Sequence, residues 1–155
     1  MIKLSNTSNL EISEMLNKYL IGSNTDDDGD LLIDGTFRIY LRIQKDRRVI
    51  RFFSFISEDT LKDITDENFN SFLDFINGAS YSVKYSKMGL DLVRSPLLCE
   101  YCISNEGSVD DSFIVKTIQM IEKEISQALN TLSHFELMIT EHRKNVTTME
   151  SSKEV

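Results

Sequence analysis

Between Asp110 and Thr140 the apolar residues Ile114, Ile118, Ile121, Ile125, Ala128, Leu132, Phe135 and Ile139 recur at alternating steps of four and three. Only a long α-helix keeps such a series on one stripe, because two helical turns advance the chain by about seven residues. The seam is sustained over more than three heptads, which exceeds what a small sheet needs to cover one face. Its C-terminal part, Ile121, Ile125, Ala128, Leu132, Phe135 and Ile139, is therefore a candidate seam against a second copy of the chain. The alternative is a helix laid across its own sheet. Beyond about Arg143 the residues are polar and unpatterned, which predicts one domain over 1–143 and a disordered tail over 144–155.

The rest of the chain alternates between helical and strand periods. With 155 residues and 41% hydrophobic side chains, it can bury one sizeable core and is too short for two ordinary domains. Ser8 and Glu11 have the spacing of a reciprocal capping box, and Ile12, Met15, Leu16, Tyr19 and Leu20 follow at helical spacing, ending near Gly22. After a loop over 23–29, Leu31 to Ile33 and Phe37 to Ile43 read as strands. In the second of these, Arg38, Tyr40 and Arg42 alternate outward. Val49 to Ile56 is apolar on both faces, the pattern of a central strand. Thr65 is placed to cap a second helix, with Asp66 and Glu67 in its first turn, a stripe of Phe69, Phe72, Leu73 and Ile76, and a stop at Asn77-Gly78. Tyr81, Val83 and Tyr85 alternate as a fourth strand, Lys87 to Gly89 make a turn, and Leu90 to Ile103 return, bent or divided at Pro96. The expected fold is α+β in the order α-β-β-β-α-β-β-α, an antiparallel sheet packed with helices.

Charge and cysteine usage narrow the surroundings. With 25 acidic against 17 basic residues the net charge is −8, which disfavours general binding to nucleic acid or anionic membrane. The apolar runs are far too short to span a bilayer, and residues 1–8 lack a basic region followed by an apolar run. Two cysteines do not make a disulfide framework, so a reducing, cytoplasmic setting is expected.

Local wording then points to a family. The stretch Asp28-Gly29-Asp30-Leu31-Leu32-Ile33-Asp34-Gly35, followed by Phe37-Arg38-Ile39-Tyr40-Leu41-Arg42, resembles the YbjN family, often labelled bacterial sensory transduction regulators. The segment from Asn68 to Asn77 looks like that family's second helix, and Glu106-Gly107 stands just before the long helix, as in the family. The resemblance covers roughly residues 8 to 140, with a longer return strand around Met88 to Pro96. It implies the fold of the small acidic chaperones of type III secretion, which hold segments of effector proteins along their surfaces, usually as homodimers.

Motifs with chemical potential are few. Asn24, Asp26, Asp28, Gly29 and Leu31 match the first positions of a calcium loop, but the final ligand position holds Gly35 and a strand follows. An acidic turn explains them. Cys99 and Cys102 have CxxC spacing, yet three residues apart on a strand they point to opposite faces, and His134 and His142 offer no short paired spacing to complete a zinc site. Neither histidine lies in a nucleophile motif, and there is no glycine-rich phosphate loop. The chain is expected to be no enzyme and to need no cofactor or metal.

One feature runs against the acidic composition. Arg38, Arg42, Lys45, Arg47, Arg48 and Arg51 place six of the 17 basic residues on one hairpin, beside a single acid, Asp46. Arg38, Tyr40, Arg42, Arg48 and Arg51 are thus candidate partner-binding residues, unless the arginines pair with acidic turns of the same protein. The expected function is a non-enzymatic, chaperone-like or regulatory module that binds a segment of another protein across its sheet or C-terminal helix. The alternative is a nucleic-acid-associated regulator using phosphate contacts and Tyr40 stacking.

Overall fold

The computed structural model describes residues 1–56, 69–90 and 97–151. Helix α1 (Asn9–Lys18) starts where Ser8 Oγ accepts the N–H of Glu11 at 3.3 Å. Its capping box is only half formed, because the Glu11 carboxylate accepts the Thr7 hydroxyl at 3.1 Å. Ile12, Met15 and Leu16 are buried, but the stripe stops there. The chain reverses at Leu20, which has φ 60°, and Ile21 donates its N–H back to Leu16 at 3.1 Å. Tyr19 and Leu20, expected in the buried stripe, are therefore 43% and 96% exposed.

The predicted loop after α1 is in part a strand. β2 (Ser23–Thr25) pairs with β3 (Leu31–Ile33), β3 with β4 (Ile39–Gln44), and β4 with β5 (Val49–Ile56). Helix α2 (Phe69–Ser82) runs through Asn77-Gly78 rather than ending there, because Ala79 and, just past its end, Val83 are buried and tertiary packing overrides the local stop signal. Within its stripe Phe72 and Ile76 are buried, whereas Leu73 is 37% exposed. The strand expected at Tyr81 to Tyr85 is accordingly displaced to β6 (Lys87–Leu90), which pairs with β7 (Leu97–Ser104). The expected cap at Thr65 with Asp66 and Glu67, and the bend at Pro96, lie outside the described residues.

The main sheet has the order β2-β3-β4-β5-β7-β6 and every pairing in it is antiparallel, so β5 sits centrally, as its two apolar faces predict. A second, two-stranded sheet joins β1 (Ile2–Lys3) to β8 (Ser108–Val109).

Helix α3 (Asp111–Ser151) closes the fold. Ile114, Ile118, Ile121, Ile125 and Ala128 join one core with Ile12 and Leu16 of α1, Phe72 and Ile76 of α2, and the strand residues Leu31, Leu41, Ile50, Phe52 and Cys99. This corrects the seam: Ile121, Ile125 and Ala128 are at most 1% exposed and are buried by their own chain. They are filled by the sheet, so a stripe available to a second copy begins beyond Ala128; the side chains of Leu132, Phe135 and Ile139 lie outside the described residues. Helical backbone continues to Ser151, where an unstructured tail was expected from residue 144. No glycine or proline follows Gly107, so nothing in the chain ends the helix earlier. Forty-one residues of helix span about 60 Å.

Candidate functional site

Strand alternation gives the sheet two unlike faces. Leu41, Ile50, Phe52, Leu97 and Cys99 face the helices, while Tyr40, Arg42, Arg51, Phe53, Phe55, Leu98 and Glu100 point the other way. On this outer face Tyr40 stands opposite Phe53 in register and stacks on it at 5.3 Å with an interplanar angle of 17°. Phe55 meets Tyr40 edge-on at 5.9 Å and Phe53 at 5.7 Å. Register also sets Arg42 opposite Arg51, and both guanidinium groups lie over the Phe53 ring, at 5.5 and 4.7 Å from its centroid. Phe53 is only 3% exposed although it lies outside the helix-covered core.

Two like charges side by side need neutralising partners. Arg42 makes a fork to Asp30, Nε to Oδ1 at 2.6 Å and Nη2 to Oδ2 at 2.5 Å, and the Asp30 side chain is 4% exposed. This hydrogen bonding raises the Arg42 pKa, with burial opposing it. Arg51 is held by Glu100 across the β5–β7 ladder, its Nε and Nη2 both reaching the one oxygen Oε2. Arg42 and Arg51 are thus paired within the molecule, and their guanidinium groups lie over Phe53.

Of the five residues expected in the hairpin site, the structure brings together Tyr40, Arg42 and Arg51. Arg38 is exposed just before β4, and Arg48, with φ 54° in the β4–β5 turn, pairs with Glu106 at 3.3 Å away from the cluster. Phe53, Phe55, Leu98 and Glu100 were missed. Their signal was present, since they share the parity of Arg51 or of its neighbour strand, but an all-apolar strand hides which of its residues face outward.

The other candidates resolve into structure. The calcium-like loop is a β-hairpin turn: Asp26 Oδ1 accepts the N–H groups of Asp28 and Asp30 at 3.0 and 2.8 Å, and Gly29 takes φ 81°. Among the described residues no three His, Cys, Asp or Glu side chains are grouped to hold a metal ion. Cys99 is buried and Cys102 exposed on opposite faces of β7, both as free thiols. Burial pushes the Cys99 thiol up to about 11, with Glu124 and Glu100 adding to it and Ser86 opposing. His134 is exposed, its Nδ1 2.6 Å from the Asn130 carbonyl.

Two acids on α3 that the sequence concealed do positioning work. Glu124, 5% exposed, accepts the N–H of Lys84 and Tyr85 at Oε1 (2.8 and 3.0 Å) and of Ser86 at Oε2 (2.8 Å), holding the turn between α2 and β6. Burial raises its pKa, but the hydrogen bonds from Ser86, Tyr85 and Lys84 outweigh that and leave it below the ordinary carboxylate value. Glu122 accepts the N–H of Thr36 at 2.8 Å in the turn between β3 and β4. A period count assigns both to a solvated face.

No family model matches the chain, and no curated protein matches it in sequence. The class is set by architecture: an antiparallel sheet with helices on one face and a long C-terminal helix is a YbjN-like, type III secretion chaperone-like fold. YbjN of E. coli, described as a candidate transcription regulator, superposes with a TM-score of 0.59 at 14% identity, over 78% of this chain and 88% of that one. A chain of the HopA1–SchA chaperone–effector complex gives 0.52 at 15% identity, over 74% and 87%. An uncharacterised protein from Methanothermobacter thermautotrophicus gives 0.60 at 11% identity, over 83% and 98%. These likenesses concern the fold. No described helix is long and apolar enough to cross a membrane.

Proposed function

We propose that this chain is a non-enzymatic protein-binding module, chaperone-like or regulatory, that takes a segment of a partner protein across the outer face of its sheet, working in the cytoplasm as a single domain. The observation that carries the reading is the outer face: Tyr40, Phe53 and Phe55 cluster on the side of the sheet that the core helices do not use. The chaperone–effector complex among the similar folds supports it, because there the same architecture is found with a protein partner. Part of α3 beyond Ala128, with Leu132, Phe135 and Ile139 at heptad spacing, is the remaining candidate for a homodimer contact.

The ion pairs weigh against the nucleic-acid alternative. Phosphate binding draws on free cations, whereas Arg42 and Arg51 already face Asp30 and Glu100; the exposed Arg48–Glu106 pair adds little to this. Affinity capture from native cytosol with the wild type and an Arg38→Glu, Tyr40→Ala variant tests the reading. One protein retained by the wild type and lost by the folded variant is the expected result. Retention of nucleic acid alone, weakening steeply with salt, would replace the protein partner with phosphate.

A further inference from the structure

A partner on the outer face has to bring its own backbone hydrogen bonds. β4, β5 and β7 are each paired on both sides, so their N–H and C=O groups are spent within the sheet. An extended segment laid over them would leave its own backbone unpaired, whereas a helix closes its bonds internally. The helices on the inner face follow the same rule.

The surface has a shape and charge that suit one such helix. Leu32, Tyr40 and Phe53 form one register row across β3, β4 and β5, and Leu98 faces Gly89 across β7 and β6. A Cβ added to Gly89 meets nothing within 4 Å, so the space above the edge strand is open. Leu32, Tyr40 and Leu98 are partly exposed. Lys87 on β6 and Arg38 before β4 are exposed, and among the described residues neither forms an ion pair. Because Arg42 and Arg51 are neutralised, free positive charge on this face lies at its rim.

We propose that the outer face docks an amphipathic α-helix of a partner protein, its apolar stripe lying along Tyr40 and Leu98 and acidic residues beside that stripe meeting Arg38 and Lys87. This rests on the protein-binding reading above and names the form and charge of the segment bound.

Fluorescence anisotropy with three labelled synthetic peptides of about five helical turns tests it: a Leu/Glu peptide of helical period, the same composition at a period of two, and a Leu/Lys peptide of helical period. A labelled single-stranded oligonucleotide is the fourth probe. The Leu/Glu helix is expected to bind at least about tenfold more tightly than the others. Gly89→Glu, which adds bulk and a charge of the same sign as the helix's acidic residues, is expected to weaken that binding at least about tenfold, while Gly89→Ala leaves it intact. Both variants should keep the wild-type circular dichroism and unfolding temperature, since a Cβ at this position meets nothing within 4 Å. Equal binding of the period-two peptide, preference for the oligonucleotide, or indifference to Gly89→Glu overturns the proposal. So does sedimentation showing self-association that Gly89→Glu abolishes, because the occupant is then a second copy. If Gly89→Glu still captures the wild type's protein partner from cytosol, the docking face is wrong and the protein-binding function stands; if the wild type captures no protein and binds no peptide, both fail.

Discussion

A Cβ built on Gly35 would lie 2.3 Å from Oε1 of Glu122, the same oxygen that accepts the Thr36 N–H. The β3–β4 turn therefore leaves no room for a Cβ at position 35 while the Glu122 carboxylate keeps its place. Two residues along the helix, Glu124 reaches the turn between α2 and β6. The long helix is thereby fixed by two carboxylates, each accepting backbone N–H groups of a different turn, as well as by its buried stripe.

Gly35→Ala should push Glu122 away and cost the turn its hydrogen bond, about 1–2 kcal/mol. The clash is with the end of a flexible side chain, so the fold survives. Glu122→Ala alone should cost a similar amount, and the double variant little more than either, because both remove the same contact. Urea unfolding of the four proteins measures the coupling, and full additivity would show that the contact is not shared.

How much of this was legible follows from where each signal lies. The helix cap at Ser8 and the central strand Val49–Ile56 are local patterns and were read directly. α2 running past Asn77-Gly78 was not, because its extension depends on burial of Ala79 and Val83 against distant elements. Nor was the pairing of Arg42 with Asp30 and of Arg51 with Glu100, which joins residues 12 and 49 positions apart. The cluster of basic residues was visible, but its neutralisation is a tertiary fact. Phe53 shows the remaining limit: an all-apolar strand says that both faces are covered without saying by what.

Glu124 should make stability depend on acidity. Its folded pKa lies below the ordinary value of 4.5, so its contribution is complete above that value and is lost as pH falls through the lowered one. Glu124→Gln keeps an acceptor for part of the turn but removes the charge. It should lower stability by about 1–3 kcal/mol at pH 7 and flatten the decline below pH 4.5. Unfolding curves from pH 7 downward compare the two, and parallel declines would assign the acid sensitivity to other carboxylates.

The two thiols should separate by access. Cys99 is buried with its pKa pushed up to about 11, so it stays protonated and shielded at pH 8. A disulfide reagent should therefore modify one thiol, Cys102, in the native protein and both in urea. Loss of the single fast site in Cys102→Ser confirms the assignment, and rapid reaction of both thiols in the native state would contradict the packing of β7 against the helices.

Leu20 offers a substitution that should stabilise. Its left-handed backbone, φ 60°, costs a branched L-residue about 1–2 kcal/mol, and at 96% exposure its side chain gains almost nothing from burial in return. Leu20→Gly removes that strain but adds about 0.5–1 kcal/mol of chain entropy to the unfolded state. The expected net gain is about 0.5–1 kcal/mol, read as a higher urea midpoint with an unchanged slope. Leu20→Ala separates the two contributions, because it keeps the Cβ clash and loses only the exposed methyls: it should leave the midpoint near wild type. If Gly and Ala behave alike, the turn after α1 does not hold its left-handed residue under strain, and the reversal that turns Tyr19 and Leu20 away from the core has another cause.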